Sequence, residues 1–249
     1  MEWRDENGVR RLEADLPGAR AAFSTRLGGV SAAPYDTLNI GILTGDERTD
    51  VLENRRRLAA ALGLDLGDIV IARQVHGAEL MEHGGPQDPS PFADPHPGIP
   101  ELDGHVVRRP GLAPLVFVAD CLPVVLAGED GVAVLHCGWR GLAGGIVERG
   151  VESVGAKAAA VGPGIGRCCY EVGEEVLAEF AGLGEGIADG RMLDLPEVAK
   201  RLLLGAGVEQ VEISGHCTAC EPELFFSHRR DRGATGRQAG LGWLEPERA

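Results

Sequence analysis

Lysine is almost absent from this 249-residue sequence. Lys157 and Lys200 are the two lysines, so arginine supplies nearly all of the positive charge. The formal net charge of −14 argues against nucleic-acid binding and against binding to anionic membranes, because both polyanions require an extended basic surface. A local basic pocket that binds a small anion is still compatible with this charge.

The sequence also lacks an apolar run of the length that a membrane span requires. Its first residues are charged and have no apolar core of the kind found in signal peptides, which predicts a cytoplasmic protein with no membrane partner. In that compartment the six cysteines are expected to be free thiols or metal ligands rather than disulfides.

Short apolar runs alternate with amphipathic segments, which predicts one domain of the α/β (α+β) class over residues 1–249. The continuous apolar runs indicate strands that are buried on both faces. Three consecutive strands between Leu115 and Leu135 favour a mixed sheet, so we expect one large mixed β-sheet flanked by helices. Predicted strands cover 69–72, 115–118, 124–126, 132–135, 157–161 and 211–213, and predicted helices cover 51–62, 143–154, 176–180 and 196–203.

One long segment, residues 84–100, matches neither pattern. Its prolines exclude a helix and a central strand. A loop of this length inside a compact domain is usually a lid, a binding loop or a mobile segment. We place no domain boundary here, because strand-like runs on both sides would supply the same site.

Three residues at or near the ends of predicted strands indicate a metal site: His76, Cys121 and His136. Two imidazoles and one thiolate are good zinc ligands, and three protein ligands leave a fourth position open. Each residue also fits a structural role alone, as a hydrogen-bonded histidine or a buried thiol. The neighbouring Asp120 is expected to orient a ligand, carry a proton or cap the turn.

Two glycine-containing loops carry an arginine that could bind an anion. Arg140 lies in His136-Cys137-Gly138-Trp139-Arg140-Gly141, which leads into a helix whose N-terminus favours phosphate. Arg26 precedes Gly28-Gly29, and Asn39 could read a base or a sugar edge. The alternatives are a structural ion pair for Arg140 and simple turn chemistry for the other two.

The remaining cysteines form two short pairs. Cys168 and Cys169 are adjacent, and we expect them to pack rather than to react. Cys217 and Cys220 form a CxxC, which is either redox-active or half of a zinc site. Because no second CxxC completes such a site, we do not expect a metal there, although His216 lies beside the pair.

Taken together, these segments resemble the YfiH-like family over nearly the whole chain and in order. That family has been labelled laccase-domain or polyphenol oxidase and is described as zinc-dependent purine nucleoside phosphorylase. The resemblance implies that His76, Cys121 and His136 bind the metal. One departure is Cys137, where the family has a small residue such as alanine. The matching segments are 24–31, 38–41, 51–55, 74–77, 119–124, 136–141, 162–172 and 217–237.

The leading hypothesis is therefore a zinc enzyme that phosphorolyses adenosine, inosine, guanosine and methylthioadenosine and also deaminates adenosine. Inorganic phosphate would be the co-substrate, held by Arg26 or Arg140. Asp120 or Asp103 would replace the glutamate of the H-x-E motif of zinc deaminases, which this sequence lacks. Asp103 is also expected to bind substrate, together with Arg26, Asn39 and Arg140. We expect small-molecule partners and a monomer or small homo-oligomer.

Three alternatives remain open at this point. His, Cys and His also match a blue-copper ligand set, which would suit a phenol oxidase, although a multicopper oxidase needs more imidazoles than these seven. A cysteine hydrolase would use Cys121 as the nucleophile and a histidine as the base. A nucleotide- or metal-sensing module would bind without turnover.

Overall fold

Two six-stranded β-sheets pack against each other in the computed structural model, which describes residues 1–245. The strands of this part of the chain are, in order, β1 (Glu2–Glu6), β2 (Val9–Leu16), β3 (Ala19–Ser24), β4 (Ile69–Val70), β5 (Leu80–Glu82), β6 (Gly104–Val107), β7 (Ala113–Val118), β8 (Leu122–Gly128), β9 (Gly131–Cys137), β10 (Ala156–Val161), β11 (Ala188–Asp189), β12 (Met192–Leu193), β13 (Gln210–Ile213) and β14 (Gln238–Leu244).

The first sheet has the order β1-β2-β3-β14-β7-β4, and the second has the order β13-β10-β8-β9-β6-β5. Both are mixed, since the pairs β4–β7, β5–β6 and β10–β13 are parallel and their neighbours are antiparallel. The predicted α/β class with a mixed sheet is thus confirmed, but the strands form two large sheets rather than one. The split occurs at residues 119–121, because β7 joins the first sheet and β8 joins the second.

The helices within residues 1–245 are α1 (Arg48–Leu62), α2 (Trp139–Ala143), α3 (Ile146–Val154), α4 (Glu174–Glu179) and α5 (Leu195–Gly205). Helix α1 begins three residues before the predicted start and ends as predicted at Gly63, whose φ of 66° lies in the left-handed region that glycine tolerates. Helix α5 begins after Asp194, whose side chain accepts a hydrogen bond from the Glu197 N–H.

The apolar residues fill three layers between and outside the sheets. Along β8, Leu122, Val124 and Leu126 pack toward the helices α3 and α5, whereas Val125 and Ala127 pack between the two sheets. The outer face of the first sheet packs under α1. Because a strand alternates its side chains, a strand with both faces buried must be apolar throughout, which explains the continuous runs in the sequence. Each fully buried Leu or Val contributes about 1.5–3 kcal/mol.

No helix within residues 1–245 is both long enough and apolar enough to cross a membrane. The prediction of a single domain over 1–249 stays a prediction. Its last four residues, 246–249, lie outside the described part of the chain.

Candidate metal centre and cleft

The structure brings His76, Cys121 and His136 together, as the sequence predicted. Their ligand atoms lie within 4.8 Å of one another, and the two imidazole rings meet edge to face with centroids 4.8 Å apart. His76 lies in the loop after β4, Cys121 lies at the corner between β7 and β8, and His136 lies near the end of β9. We call these three residues the trio.

Two strained backbone positions shape the trio. His76 has a φ of 60° and Asp120 has a φ of 94°, both in a region that residues other than glycine rarely adopt. Such strain persists only where surrounding contacts enforce it, and it is concentrated at functional sites. Here the enforcing groups are carboxylates.

Asp103 fixes the turn that carries His76. Its side-chain oxygens accept hydrogen bonds from the backbone N–H groups of Val75, His76 and Gly77 at 3.0, 3.0 and 2.7 Å. The same carboxylate lies 2.6 Å from Nδ1 of His136 and is fully buried. A carboxylate on one ring nitrogen is the usual partner of a metal-binding histidine, because it leaves Nε2 free for the metal.

Asp120 fixes the corner that carries Cys121. One oxygen accepts a hydrogen bond from Thr218 Oγ1 at 2.7 Å, and the other accepts one from the Arg229 N–H at 2.7 Å. Its backbone carbonyl accepts from the Ile165 N–H at 2.7 Å. Of the three roles considered for Asp120, these contacts support the stabilisation of the turn. A proton-carrying role stays a prediction.

The metal-free trio holds a thiolate and an imidazolium. Burial raises the pKa of Cys121, but the charge of His136 and hydrogen bonds from both imidazoles outweigh it and lower the pKa to about 6. Burial lowers the pKa of His136, but the charges and hydrogen bonds of Cys121 and Asp103 outweigh it and raise the pKa to about 9. The surroundings of the trio therefore favour an anionic sulfur, and a metal that bound there would take the place of the His136 proton.

Gly138 has no side chain, and this leaves room for the side chains of the trio. A Cβ at this position would lie 3.0 Å from Cys121 Sγ and 3.2 Å from His76 Cδ2, so a side chain here would press on two of the three ligands. The neighbouring Cys137 is not part of the trio. It is buried in the core under the helices, and burial raises the pKa of its thiol well above the usual value.

The trio opens into a cleft of about 1210 Å³, which is large enough for a drug-sized ligand and a second small molecule. The long loop predicted to be a lid or a binding loop lines this cleft with Pro91 and residues 95–99. The other lining residues are Gly41, Ile42, Leu43, Thr44, Arg48, Arg55, Ile71, Ala72, Arg73, Gln74, His76, Glu101, Phe117, Ala119, Asp120, Cys121, His136, Ile165, Tyr170, His228, Arg229 and Arg237.

The side chains predicted to bind substrate have other partners. Arg26 bonds the carbonyls of Asp36 and Pro222. Asn39 is fully buried and bonds the turn at Thr44 and Asp46. Arg140 lies over the Trp139 ring at 4.3 Å. None of Arg26, Asn39, Asp103 and Arg140 is among the described residues that line the cleft, so their contact with substrate stays a prediction.

Other arginines supply positive charge to the cleft. Within residues 1–245, Arg55, Arg229 and Arg237 line it without an ion pair to a carboxylate, whereas Arg48 pairs with Asp94 and Arg73 with Glu101.

Arg55 is 1% exposed and donates to the carbonyls of Ile40, Pro91 and Phe92. Burial lowers its pKa to about 10, which still leaves it charged at neutral pH. Its signal in the sequence was an arginine on the buried stripe of α1. Burial also lowers the pKa of Arg237, while the charges of Asp120 and Cys121 oppose this shift, so the guanidinium lies near the trio.

The fold and the cleft together define an α/β protein with mixed sheets and, beside the cleft, a group of two histidines and one cysteine that could hold a metal ion. Residues 20–245 match the family described as multi-copper polyphenol oxidoreductase laccase, and the chain belongs to that family.

The relatives of this chain carry a different name from the family. It is 43% identical over 244 residues to the purine nucleoside phosphorylase of Deinococcus radiodurans, covering 92% of this chain and 91% of that protein. It is 38% identical over 240 residues to the purine nucleoside phosphorylase YfiH of Escherichia coli, covering 91% and 94%. The crystal structure of YlmD from Geobacillus stearothermophilus has a TM-score of 0.86 at 35% identity, covering 98% and 99%. These matches confirm the YfiH-like resemblance.

Proposed function

We propose that the protein is a zinc-dependent purine nucleoside phosphorylase that accepts adenosine, inosine, guanosine and methylthioadenosine and also deaminates adenosine. The observation that carries this proposal is the arrangement of the cleft: the trio shares its lining with Arg229 and Arg237, which form no ion pair with a carboxylate among residues 1–245. The names of the relatives support the phosphorylase part. A zinc ion held by His76, Cys121 and His136 would supply a Lewis acid at the open position.

Residues of the cleft would bind the phosphate and the purine. Arg237 binds inorganic phosphate, because a guanidinium provides paired donors for phosphate oxygens. The buried Arg55 holds the loop that lines the cleft through the carbonyls of Pro91 and Phe92. Phe117 and Tyr170 line the same cleft and provide ring surface for the purine. Burial raises the pKa of Tyr170 to about 12, so its hydroxyl remains a hydrogen-bond donor. In the reaction an oxygen of hydrogen phosphate bonds to the sugar C1′ while the C1′–N9 bond breaks, and the departing purine takes up the proton that the phosphate gives up.

Arg26, Asn39, Asp103 and Arg140 keep a proposed part in substrate binding, and Arg26 and Asn39 would act through the loops they hold. Arg26 hydrogen-bonds the loop at Asp36, and Asn39 accepts a hydrogen bond from the backbone N–H of Arg237 at 2.8 Å. A change at Asn39 would therefore move a cleft arginine. The cytoplasmic location and the monomeric or small oligomeric state stay predictions.

Two observations keep a competing function in view. The donor set matches a blue-copper site, and the family description names a copper oxidase. Within residues 1–245, however, no other group of three or more potential ligands contains a histidine. The buried His83 and His105 are committed to each other at 2.9 Å. A multinuclear copper centre built on imidazoles has no counterpart in this arrangement.

A thiolate beside an imidazolium is also the pair that a cysteine hydrolase uses. Alkylation separates this function from the proposed one. In zinc-loaded protein we expect Cys121 to resist iodoacetamide and to react after chelation, as a coordinated thiolate does. Rapid alkylation of Cys121 in fully zinc-loaded, active protein would contradict the metal role.

The direct test of the proposed function is the product balance with inosine. We expect hypoxanthine and ribose 1-phosphate in equal amounts, dependent on both zinc and phosphate. Hypoxanthine release that continues without phosphate would identify a hydrolase instead. Oxygen uptake with phenols by copper-loaded protein, without nucleoside turnover, would support the oxidase.

A further inference from the structure

Four cysteines outside the cleft converge on one point. The Sγ atoms of Cys168, Cys169, Cys217 and Cys220 all lie within 4.8 Å of one another. Cys220 Sγ is 3.2 Å from Cys168 Sγ and 3.3 Å from Cys169 Sγ. The adjacent pair thus supplies the second half that the CxxC lacked, which differs from the packing role expected for it. We call these residues the cysteine cluster.

The spacing of the cluster suits a tetrahedral metal. With zinc–sulfur bonds of about 2.3 Å, the sulfurs of a tetrahedral site are about 3.8 Å apart. The two Cys220 contacts of 3.2 and 3.3 Å are shorter than this value, and all four sulfurs lie within 4.8 Å of one another, so small side-chain rotations would bring them to tetrahedral spacing. All four residues are free cysteines, and all-thiol sites select soft or borderline metals such as zinc.

The surroundings complete a closed site. The Gly166 N–H donates to Cys217 Sγ at 3.2 Å, a contact that stabilises a thiolate ligand. A Cβ at Gly166 would lie 3.3 Å from the Cβ of Cys217 and 3.5 Å from Cys168 Sγ. His216 does not join the cluster, because its Nδ1 lies 2.8 Å from a Glu221 oxygen. Cys168 and Cys220 are exposed, so a metal has a path from solvent.

We propose that the cysteine cluster binds one zinc ion in a second, structural site. Binding exchanges up to four S–H protons for one Zn²⁺ and gives a tetrathiolate of net charge −2. Four protein ligands leave no open position, which is typical of structural rather than catalytic zinc. The ion would join the loop of residues 162–172 to the loop of residues 214–221.

The joined loops support the corner that carries Cys121. The Thr218 N–H donates to the Gly164 carbonyl at 3.0 Å, and the Ile165 N–H donates to the Asp120 carbonyl at 2.7 Å. Thr218 Oγ1 donates to the Asp120 carboxylate at 2.7 Å. A metal in the cluster would therefore stabilise the strained Asp120 turn.

Metal content and cobalt spectra of matched variants test this site. We expect two zinc ions per chain in the full-length protein, one in Cys168→Ser/Cys220→Ser and one in His76→Ala. After cobalt substitution, the absorption of a tetrathiolate should appear in the wild-type protein and His76→Ala and be absent from the double-cysteine variant. Equal metal content in the wild-type and double-cysteine proteins would overturn the proposal.

A second measurement uses the unaltered protein, so its result does not depend on whether a variant folds. Mass spectrometry after alkylation should find the four cluster thiols protected until a chelator is added. Rapid alkylation of all four without chelator, or a disulfide among them as isolated, would overturn the proposal. None of these readouts depends on nucleoside turnover, so failure of the phosphorylase assay leaves this test unaffected.

Discussion

The trio and the cysteine cluster lie on either side of the same Asp120 corner but are built differently. The trio combines two imidazoles with one thiolate, has a buried carboxylate behind one ligand and opens into the cleft. The cluster has four thiols on two loops and no partner histidine. The difference shows how one fold can separate a site that must expose a coordination position from one that only holds loops together.

The backbone that carries the two sites also differs between them. In the trio, His136 lies on a central strand and His76 has a positive φ, as does Asp120 next to Cys121. The core therefore enforces the geometry of the trio. The cluster depends on loops, and its order would come from the metal itself. Variants of the trio should therefore lose chemistry with little loss of structure, and variants of the cluster should lose order first.

The largest expected effect is that of Cys121→Ala, which removes the anionic ligand of the trio. We expect inosine phosphorolysis to fall about 10³-fold or more, since a Lewis acid is worth several kcal/mol and each 1.4 kcal/mol is about tenfold in rate. Steady-state assays with zinc analysis check this. Cys137→Ala is the matched control. It removes a thiol that follows His136 in the sequence but is not part of the trio, so this variant should retain activity. Equal losses in both variants would contradict the trio's role.

Metal affinity of the trio should depend on pH in a defined direction. Between about pH 6 and 9 the metal-free pair holds one proton, because the pKa of Cys121 is lowered to about 6 and that of His136 is raised to about 9. The metal displaces this proton, so affinity should fall about tenfold per unit as pH falls through this window and more steeply below it. The change of zinc affinity with pH is measured by competition with a chelator. The Cys168→Ser/Cys220→Ser variant is used so that zinc in the cysteine cluster does not contribute. An affinity that stays constant from pH 9 to 7 would refute the pairing.

Asp103→Asn tests whether the trio is held by the carboxylate behind it. We expect a loss of about 10–100-fold in metal affinity or activity, as is typical when the partner of a ligating histidine is changed. The measurement is zinc affinity with kcat at saturating zinc. Asp65→Asn is the control, since Asp65 is exposed and its side chain caps no helix. If the two variants behaved alike, the orienting role of Asp103 would be wrong.

The effect of Arg237→Gln is expected to be confined to phosphate binding and to leave the metal in place. Losing a charge-assisted contact of about 1.5–3 kcal/mol should raise the KM for phosphate about 10–100-fold while zinc content stays constant. Arg73→Gln is the control, because Arg73 lines the same cleft but is paired with Glu101. A change in the KM for inosine alone would assign Arg237 to the nucleoside instead.

The sequence predicted what depends on local pattern. Strands such as β8 and β9 were found because burial on both faces makes them continuously apolar, and the trio was found because its members lie near strand ends. The two sheets were missed, since assigning β7 and β8 to different sheets depends on pairing with distant strands such as β14. The support of His136 by Asp103 also requires the β6–β9 pairing.

The cysteine cluster could not be predicted from local sequence pattern either. Cys168 and Cys217 are separated by nearly fifty positions, and an adjacent pair has no zinc-binding spacing of its own. Only the close approach of two loops, bridged between Gly164 and Cys217, brings the four sulfurs together. The arginines of the cleft were missed for a related reason. Arg229 and Arg237 lie outside the helices and strands, where no periodicity shows which way a side chain faces, and the local signal of Arg55 was only its place on the buried stripe of α1.

The most direct test of the account is an anomalous-diffraction map at the zinc edge from crystals soaked with inosine. We predict one peak bonded to His76, Cys121 and His136, with the nucleoside in the cleft beside it, and a second peak among the four cysteines with no substrate nearby. A map with no peak at the trio, or with inosine bound away from it, would contradict the central claim that the trio is a catalytic metal centre.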